Sequence, residues 1–73
     1  MFIEVMRSDN GAHILLNTQY IYLIRIADEV DRKHCYGKYD DWVKSVIVMN
    51  DDTTFYVINE YRDLCKEIMP SRD

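Results

Sequence analysis

The part of this chain that most constrains its fold is residues 45–70, which carry the pattern of a strand, a turn, a second strand and a helix. Two runs rich in β-branched and aromatic residues, 46–49 and 55–58, flank Asn-Asp-Asp-Thr at 50–53. Asn and Asp tolerate left-handed backbone dihedrals and bond their own backbone, so this segment favours a turn. The pattern therefore predicts a β-hairpin followed at once by a helix.

The predicted helix covers about 60–69 and ends at Pro70, which cannot continue the hydrogen-bond ladder. Asn59 is the predicted N-cap, because its side-chain oxygen can accept a hydrogen bond from one of the first free backbone amides. Four residues at the spacing i, i+3, i+4 and i+7 form one apolar face, which we expect to pack on a sheet. These residues are Tyr61, Leu64, Cys65 and Ile68.

Three further strands are predicted before residue 28. Residues 2–7 and 13–16 read as a hairpin around Asn10-Gly11, the pair that suits a type I′ turn. The longest apolar run, 20–27, carries apolar residues on both of its faces. Continuous apolar strands are typical of buried positions, so we expect this strand to be buried on much of both faces, at the centre of the sheet or where the sheet curls.

The chain has 73 residues, which suffices for a single domain over 1–73 and is too short for two independent cores. We expect the α+β class: a small curled antiparallel sheet of four or five strands, with barrel-like closure as one option, and one C-terminal helix. A domain near this size buries only about 60% of the surface that its unfolded chain exposes. A homodimer that buries more apolar surface is therefore a reasonable expectation.

Residues 28–44 are the unusual segment, because they lack both the helical and the strand periodicity. Loops longer than about 12 to 15 residues are uncommon in compact domains and tend to be functional or disordered. Part of the segment could extend the neighbouring strands as a protruding hairpin around Gly37. Tyr and Trp are enriched at interface hot spots, since they bury a large area at low entropy cost. The predicted partner-binding residues are Tyr36, Tyr39, Asp40, Asp41 and Trp42.

Trp42 has a second interpretation that the sequence leaves open. It precedes a predicted strand, so its indole could cover the core instead of meeting a partner. For Tyr36 and Tyr39 the interface is the favoured interpretation, because interface cores are enriched in aromatic residues.

No catalytic residue, metal site or cofactor is predicted. His34 and Cys35 are adjacent, which is unfavourable for tetrahedral zinc without further converging ligands. On an extended strand such neighbours point to opposite faces, so they are poorly placed for Cys-His catalysis. The acidic pairs at 28–29, 40–41 and 51–52 are interpreted as solvated turns and edges. We therefore predict that the protein is not an enzyme.

The formal net charge of −4 argues against direct nucleic-acid binding, because duplex affinity depends on clustered Lys and Arg that neutralise phosphates. No segment approaches the roughly 20 apolar residues of a membrane span, and the first residues do not resemble a secretion signal. We therefore expect a cytoplasmic protein without membrane association, in which Cys35 and Cys65 are thiols and not a disulfide.

Several short motifs follow one another in a definite order along the chain. They are Phe-Ile-Glu-Val at 2–5, Ile-Leu-Leu-Asn at 14–17 after a Gly-containing turn, Tyr-Ile-x-x-Ile at 20–24, Val-Ile-Val-x-Asn-Asp-Asp-Thr-Thr-Phe-Tyr-Val at 46–57 and Asn-Glu-Tyr at 59–61. This order resembles the small bacterial FlbD-type proteins, a family linked to flagella and swarming.

The resemblance to FlbD-type proteins covers 2–27 and 45–69, and this chain carries 28–44 as an insertion. It implies a short single-domain protein with no known catalytic residues, and it supports the predicted architecture.

The sequence thus predicts a small non-catalytic regulatory protein of bacterial or phage type, which binds a protein partner mainly through 28–44. One alternative is an acidic inhibitor, of the phage anti-defence kind, that imitates nucleic acid in the basic channel of a nuclease or similar effector. Small size, negative charge and paired acids favour it. Another alternative is a structural homodimer subunit whose exposed strand edge pairs with a copy of itself.

Overall fold

The computed structural model describes residues 1–33 and 40–68. In chain order the elements are β1 (Phe2–Met6), β2 (His13–Asn17), a 3₁₀ turn (Thr18–Tyr20), β3 (Ile21–Ile26), α1 (Glu29–Lys33), a second 3₁₀ turn (Asp40–Trp42), β4 (Ser45–Met49), β5 (Thr54–Val57) and α2 (Tyr61–Ile68). This arrangement of antiparallel strands and a C-terminal helix confirms the predicted α+β class.

The strands form two antiparallel sheets, β1-β2 and β3-β4-β5. A bridge between Arg7 and Val57 joins them, and the Ser8 amide next to it donates to the Tyr56 carbonyl at 2.9 Å. β1 therefore lies beside β5, and the five strands make one bent surface. Among the strands that the structure describes, β2 and β3 do not pair, so this surface is not closed into a barrel.

β4 is the centre of the core, because its two faces meet two different apolar clusters. Ile47 lies in the first cluster and Val46 in the second, and both are fully buried. The buried members of the first are Ile3, Val5, Leu16, Ile47, Val57 and Leu64, and those of the second are Ala27, Val43 and Val46. The second cluster includes the residues that end β3 and precede β4, Ala27 and Val43.

The apolar face of α2 is present as predicted. Leu64 is 1% exposed and Ile68 packs against the first cluster, while Arg62 and Lys66 on the opposite side are exposed. Burial of one stripe is what gives a short helix most of its stability. α2 thus covers one face of the sheet, in contact with β1 and β3.

The predicted N-cap role of Asn59 is wrong. α2 begins at Tyr61, so Asn59 lies one residue too early, and its Oδ1 accepts a hydrogen bond from the Met6 amide at 2.8 Å. The Asn59 carbonyl accepts from the buried Ser45 hydroxyl at 2.6 Å. No local sequence pattern indicates that the Met6 amide, at the edge of β1, lies near Asn59. The Asn59 side chain bonds this amide instead of an amide of the helix.

The prediction that 20–27 is buried on both faces is also wrong. β3 stands at one end of the three-stranded sheet, with a bulge between Ile21 and Leu23, and its side chains are half-buried or exposed. The shorter run β4 takes the central position, because it pairs with β3 on one side and β5 on the other. Apolar content alone does not distinguish a central strand from an apolar edge strand.

The first hairpin forms, but not with the predicted type I′ turn. Such a turn needs positive φ at both central residues, whereas Gly11 has φ 71° and Asn10 is not among the positive-φ residues. The Arg7 amide donates to the Ala12 carbonyl at 2.9 Å and closes a longer loop. The Gly11 amide also donates to the Arg7 carbonyl at 3.0 Å, so three residues, Ser8, Asp9 and Asn10, lie between the bonded ends of the loop.

The second hairpin, β4 and β5, is confirmed. Asp52 in its turn has φ 71°, a conformation that Asn and Asp tolerate better than other non-glycine residues. Asp51 accepts a hydrogen bond from the Thr53 amide at 3.0 Å, and hydrogen bonds from Thr53 lower the pKa of the Asp51 carboxyl.

Candidate interaction surface

In the predicted site segment, 28–44, the structure describes two short helical elements, while Asp28, Val43 and Lys44 belong to neither a helix nor a strand. α1 spans Glu29–Lys33 and the second 3₁₀ turn spans Asp40–Trp42, so neither flank extends the strands as a hairpin. Tyr36 and Tyr39 lie outside the described residues, as do His34, Cys35 and Gly37, and of Asp40 only the backbone is described. The predicted site residues that can be placed with their side chains are Asp41 and Trp42.

α1 begins with a reciprocal pair of hydrogen bonds between Asp28 and Asp31. Asp28 Oδ1 accepts from the Asp31 amide at 2.9 Å, and Asp31 Oδ2 accepts from the Asp28 amide at 3.0 Å. This is the geometry of a capping box, which satisfies two amides that a helix start leaves without partners. It starts a helix that is too short to be stable by itself.

An ion pair with Arg25 holds α1 against the sheet. The Arg25 guanidinium donates to both oxygens of Asp31, with Nη2 to Oδ1 at 2.7 Å. The Asp31 side chain is only 8% exposed, whereas Arg25 is 46% exposed. Hydrogen bonds from Arg25 hold the pKa of Asp31 at about 2, against burial, which acts in the opposite direction. The pKa of Arg25 is raised by the same bonds.

Stability near pH 3 is expected to report this ion pair. Because the folded pKa of Asp31 lies below its ordinary value of 3.8, the pair stabilises the fold above that value and its contribution is lost as pH falls towards about 2. The full contribution is about 2 kcal/mol. Urea unfolding from about pH 6 to about pH 2 measures it as the difference between the wild type and Asp31→Asn. The difference should shrink on acidification, and a constant difference would contradict the prediction.

Arg25 and Asp31 are not among the site residues predicted from the sequence. Asp28 and Asp31 stand three residues apart, as in a capping box, and this spacing could have predicted the start of α1. Nothing in the sequence indicates that Arg25 on β3 reaches Asp31, since the contact depends on how α1 folds back over the sheet.

A side-chain hydrogen bond and two backbone hydrogen bonds hold the residues that follow Trp42. Arg32 Nε donates to the carbonyl of Val43 at 3.4 Å, and Val43 is fully buried in the second cluster. Lys44 then bonds on both sides: its carbonyl accepts from the Ala27 amide at 3.0 Å and its amide donates to the Val57 carbonyl at 2.9 Å. Trp42 is therefore attached directly to a fixed part of the core.

Trp42 itself is 62% exposed, and Asp41 beside it is exposed too. This exposure does not fit the alternative in which the indole covers the core. A shallow pocket of about 330 Å³ lies beside the indole, lined by Asp41, Trp42, Lys44 and Ile58. Val30 of α1 is another exposed apolar residue in the segment.

Residues 1–33 and 40–68 contain no cluster of three His, Cys, Asp or Glu side chains that could hold a metal ion, and no helix there is long and apolar enough to cross a membrane. Cys65 is a free thiol. No protein-family model, curated protein or solved structure matches the chain. The resemblance to FlbD-type proteins stays a prediction.

Proposed function

We propose that this protein is a small non-catalytic regulatory protein, of bacterial or phage type, that binds another protein through the surface around Trp42 and α1. The observation that carries the proposal is the exposed indole of Trp42 on a rigid support. The indole has few side-chain torsions and the backbone next to it is bonded to the core, so it loses little entropy on binding, and such residues dominate interface energetics.

The balance of charge on this surface favours a protein partner over imitation of nucleic acid. The exposed acids Asp28, Glu29 and Asp41 are matched by the exposed bases Arg32, Lys33 and Lys44. A nucleic-acid mimic needs acids without interleaved bases to enter a basic channel, because its affinity is mainly electrostatic. A mixed surface with an apolar centre is instead typical of protein interfaces.

Trp42→Ala is expected to weaken partner binding by about thirtyfold or more, because a hot-spot residue contributes about 2 kcal/mol or more. The partner is first captured from the native cell on the immobilised wild type, and its affinity for each variant is then measured by calorimetry. Tyr20→Ala is the matched control, since Tyr20 is an equally exposed aromatic residue on the other 3₁₀ turn.

Equal loss of affinity in Trp42→Ala and Tyr20→Ala, or no loss in either, would overturn the proposal, provided that circular dichroism shows both variants folded. Titration at rising salt separates the two classes of partner. A modest change in affinity supports the mixed surface, whereas a steep decrease would favour the acidic inhibitor.

A further inference from the structure

The outer edge of β3 is open to another strand. β3 ends the three-stranded sheet, and among residues 1–33 and 40–68 only β4 pairs with it. The Ala27 amide donates to the Lys44 carbonyl, so Ala27 faces β4. Antiparallel pairing alternates along a strand, which turns the backbone N–H and C=O groups of Ile26 and Ile24 away from β4. These groups form a template for a further strand.

This edge carries few of the features that normally prevent pairing. Edge strands are usually protected by Lys, Pro or inward-pointing charges. β3 contains neither Lys nor Pro, and its one charged residue, Arg25, is bound to Asp31. The edge instead exposes Tyr22 (71%) and Ile26 (65%). Its bulge falls at Tyr22, between Ile21 and Leu23, so the regular part of the edge is residues 23–26.

An open groove of about 660 Å³ adjoins the regular end of β3. Ile26 lines it together with Tyr61 and Cys65 from the half-buried side of α2. An exposed aromatic side chain, Tyr22, thus lies at one end of the edge and a partly apolar groove at the other. If a second β3 runs antiparallel to the first, the Tyr22 side chain of each copy meets the groove of the other copy.

We propose that β3 pairs antiparallel with β3 of a second copy about a two-fold axis at Ile24. In this register the regular residues 23–25 of the two copies pair directly. Tyr22 of the partner subunit, at its bulge, then lies beside Ile26 and the groove, and symmetry repeats the contact. Aromatic and β-branched residues are favourable cross-strand pairs. An axis one residue later would place two Arg25 side chains opposite each other, which is unfavourable for like charges. The axis at Ile24 places Arg25 opposite Leu23 instead.

Sedimentation velocity from micromolar to millimolar protein tests the pairing. We expect a concentration-dependent dimer for the wild type and a dimer at least about tenfold weaker for Tyr22→Lys and for Ile26→Lys, because each substitution alters two symmetric cross-strand pairs. Leu15→Lys, at an exposed leucine on β2, makes a matched change of charge away from the edge and should leave association unaltered. A monomer at every concentration, or a dimer weakened equally by Leu15→Lys, would overturn the proposal.

A mixture of Ile26→Lys and Tyr22→Glu tests the register. A mixed dimer places the introduced lysine opposite the introduced glutamate at one contact and keeps Tyr22 opposite Ile26 at the other, so the mixture should associate more tightly than either variant alone. If both variants dissociate but their mixture shows no recovery, the Ile24 axis is wrong. Trp42→Ala should leave the dimer intact, which separates this result from the test of partner binding.

Discussion

Leu64→Ala is expected to lower the free energy of unfolding by about 3 kcal/mol, because a leucine-to-alanine change in a packed core leaves a cavity. Leu64 is 1% exposed and is the only residue of α2 that is fully inside the first cluster. A small domain has a total stability of about 5 kcal/mol or somewhat more, so this one change removes a large part of it. Urea unfolding followed by circular dichroism measures the loss.

Leu15→Ala is the control for that result, because it makes the same chemical change at an exposed position on β2. Its expected effect is within about 0.5 kcal/mol. If the two variants unfold at the same urea concentration, α2 does not depend on Leu64 for its attachment to the sheet.

Arg25→Met is expected to destabilise the protein by about 2 kcal/mol, because it leaves the nearly buried Asp31 carboxylate without its cation. Removing one partner of a fully buried ion pair costs about 3 to 5 kcal/mol, and the partial exposure of Arg25 reduces the expected cost. We expect α1 to be the first element to lose its structure. Fluorescence of Trp42, the only tryptophan, should shift before the sheet unfolds, because Arg32 of α1 is bonded to the neighbouring Val43.

A double-mutant cycle separates the ion pair from the lost packing of the arginine. Asp31→Asn keeps a side-chain oxygen that can accept from the Asp28 amide but removes the charge. It should cost less in the Arg25→Met background than in the wild type, by about 1 kcal/mol or more. Additive effects would show that the two side chains do not stabilise each other. Arg62→Met, at an exposed arginine on α2, should change stability by less than about 0.5 kcal/mol.

The candidate site was only partly predictable from its residues. The aromatic and acidic composition of 28–44 directed attention to Trp42 and Asp41, and the structure leaves both exposed. What fixes them is the contact of α1 with β3 through Arg25 and Asp31, and these residues are six positions apart on different elements. Hydrogen bonds between different elements leave no periodic pattern in the sequence. The sequence therefore indicates the exposed residues of the site but not the contacts that hold them in place.

The sequence by itself determined the elements whose causes are local. Alternation and turn residues determine the hairpin at 45–57, and the apolar stripe determines the helix after it. The tertiary structure decided what depends on distant partners. It placed β3 at the edge rather than the centre, because an apolar strand gains a core position only when strands pair on both sides of it. It likewise decided that the Asn59 side chain accepts from the Met6 amide and does not cap the helix, since a side-chain oxygen bonds the donor that the fold brings close to it.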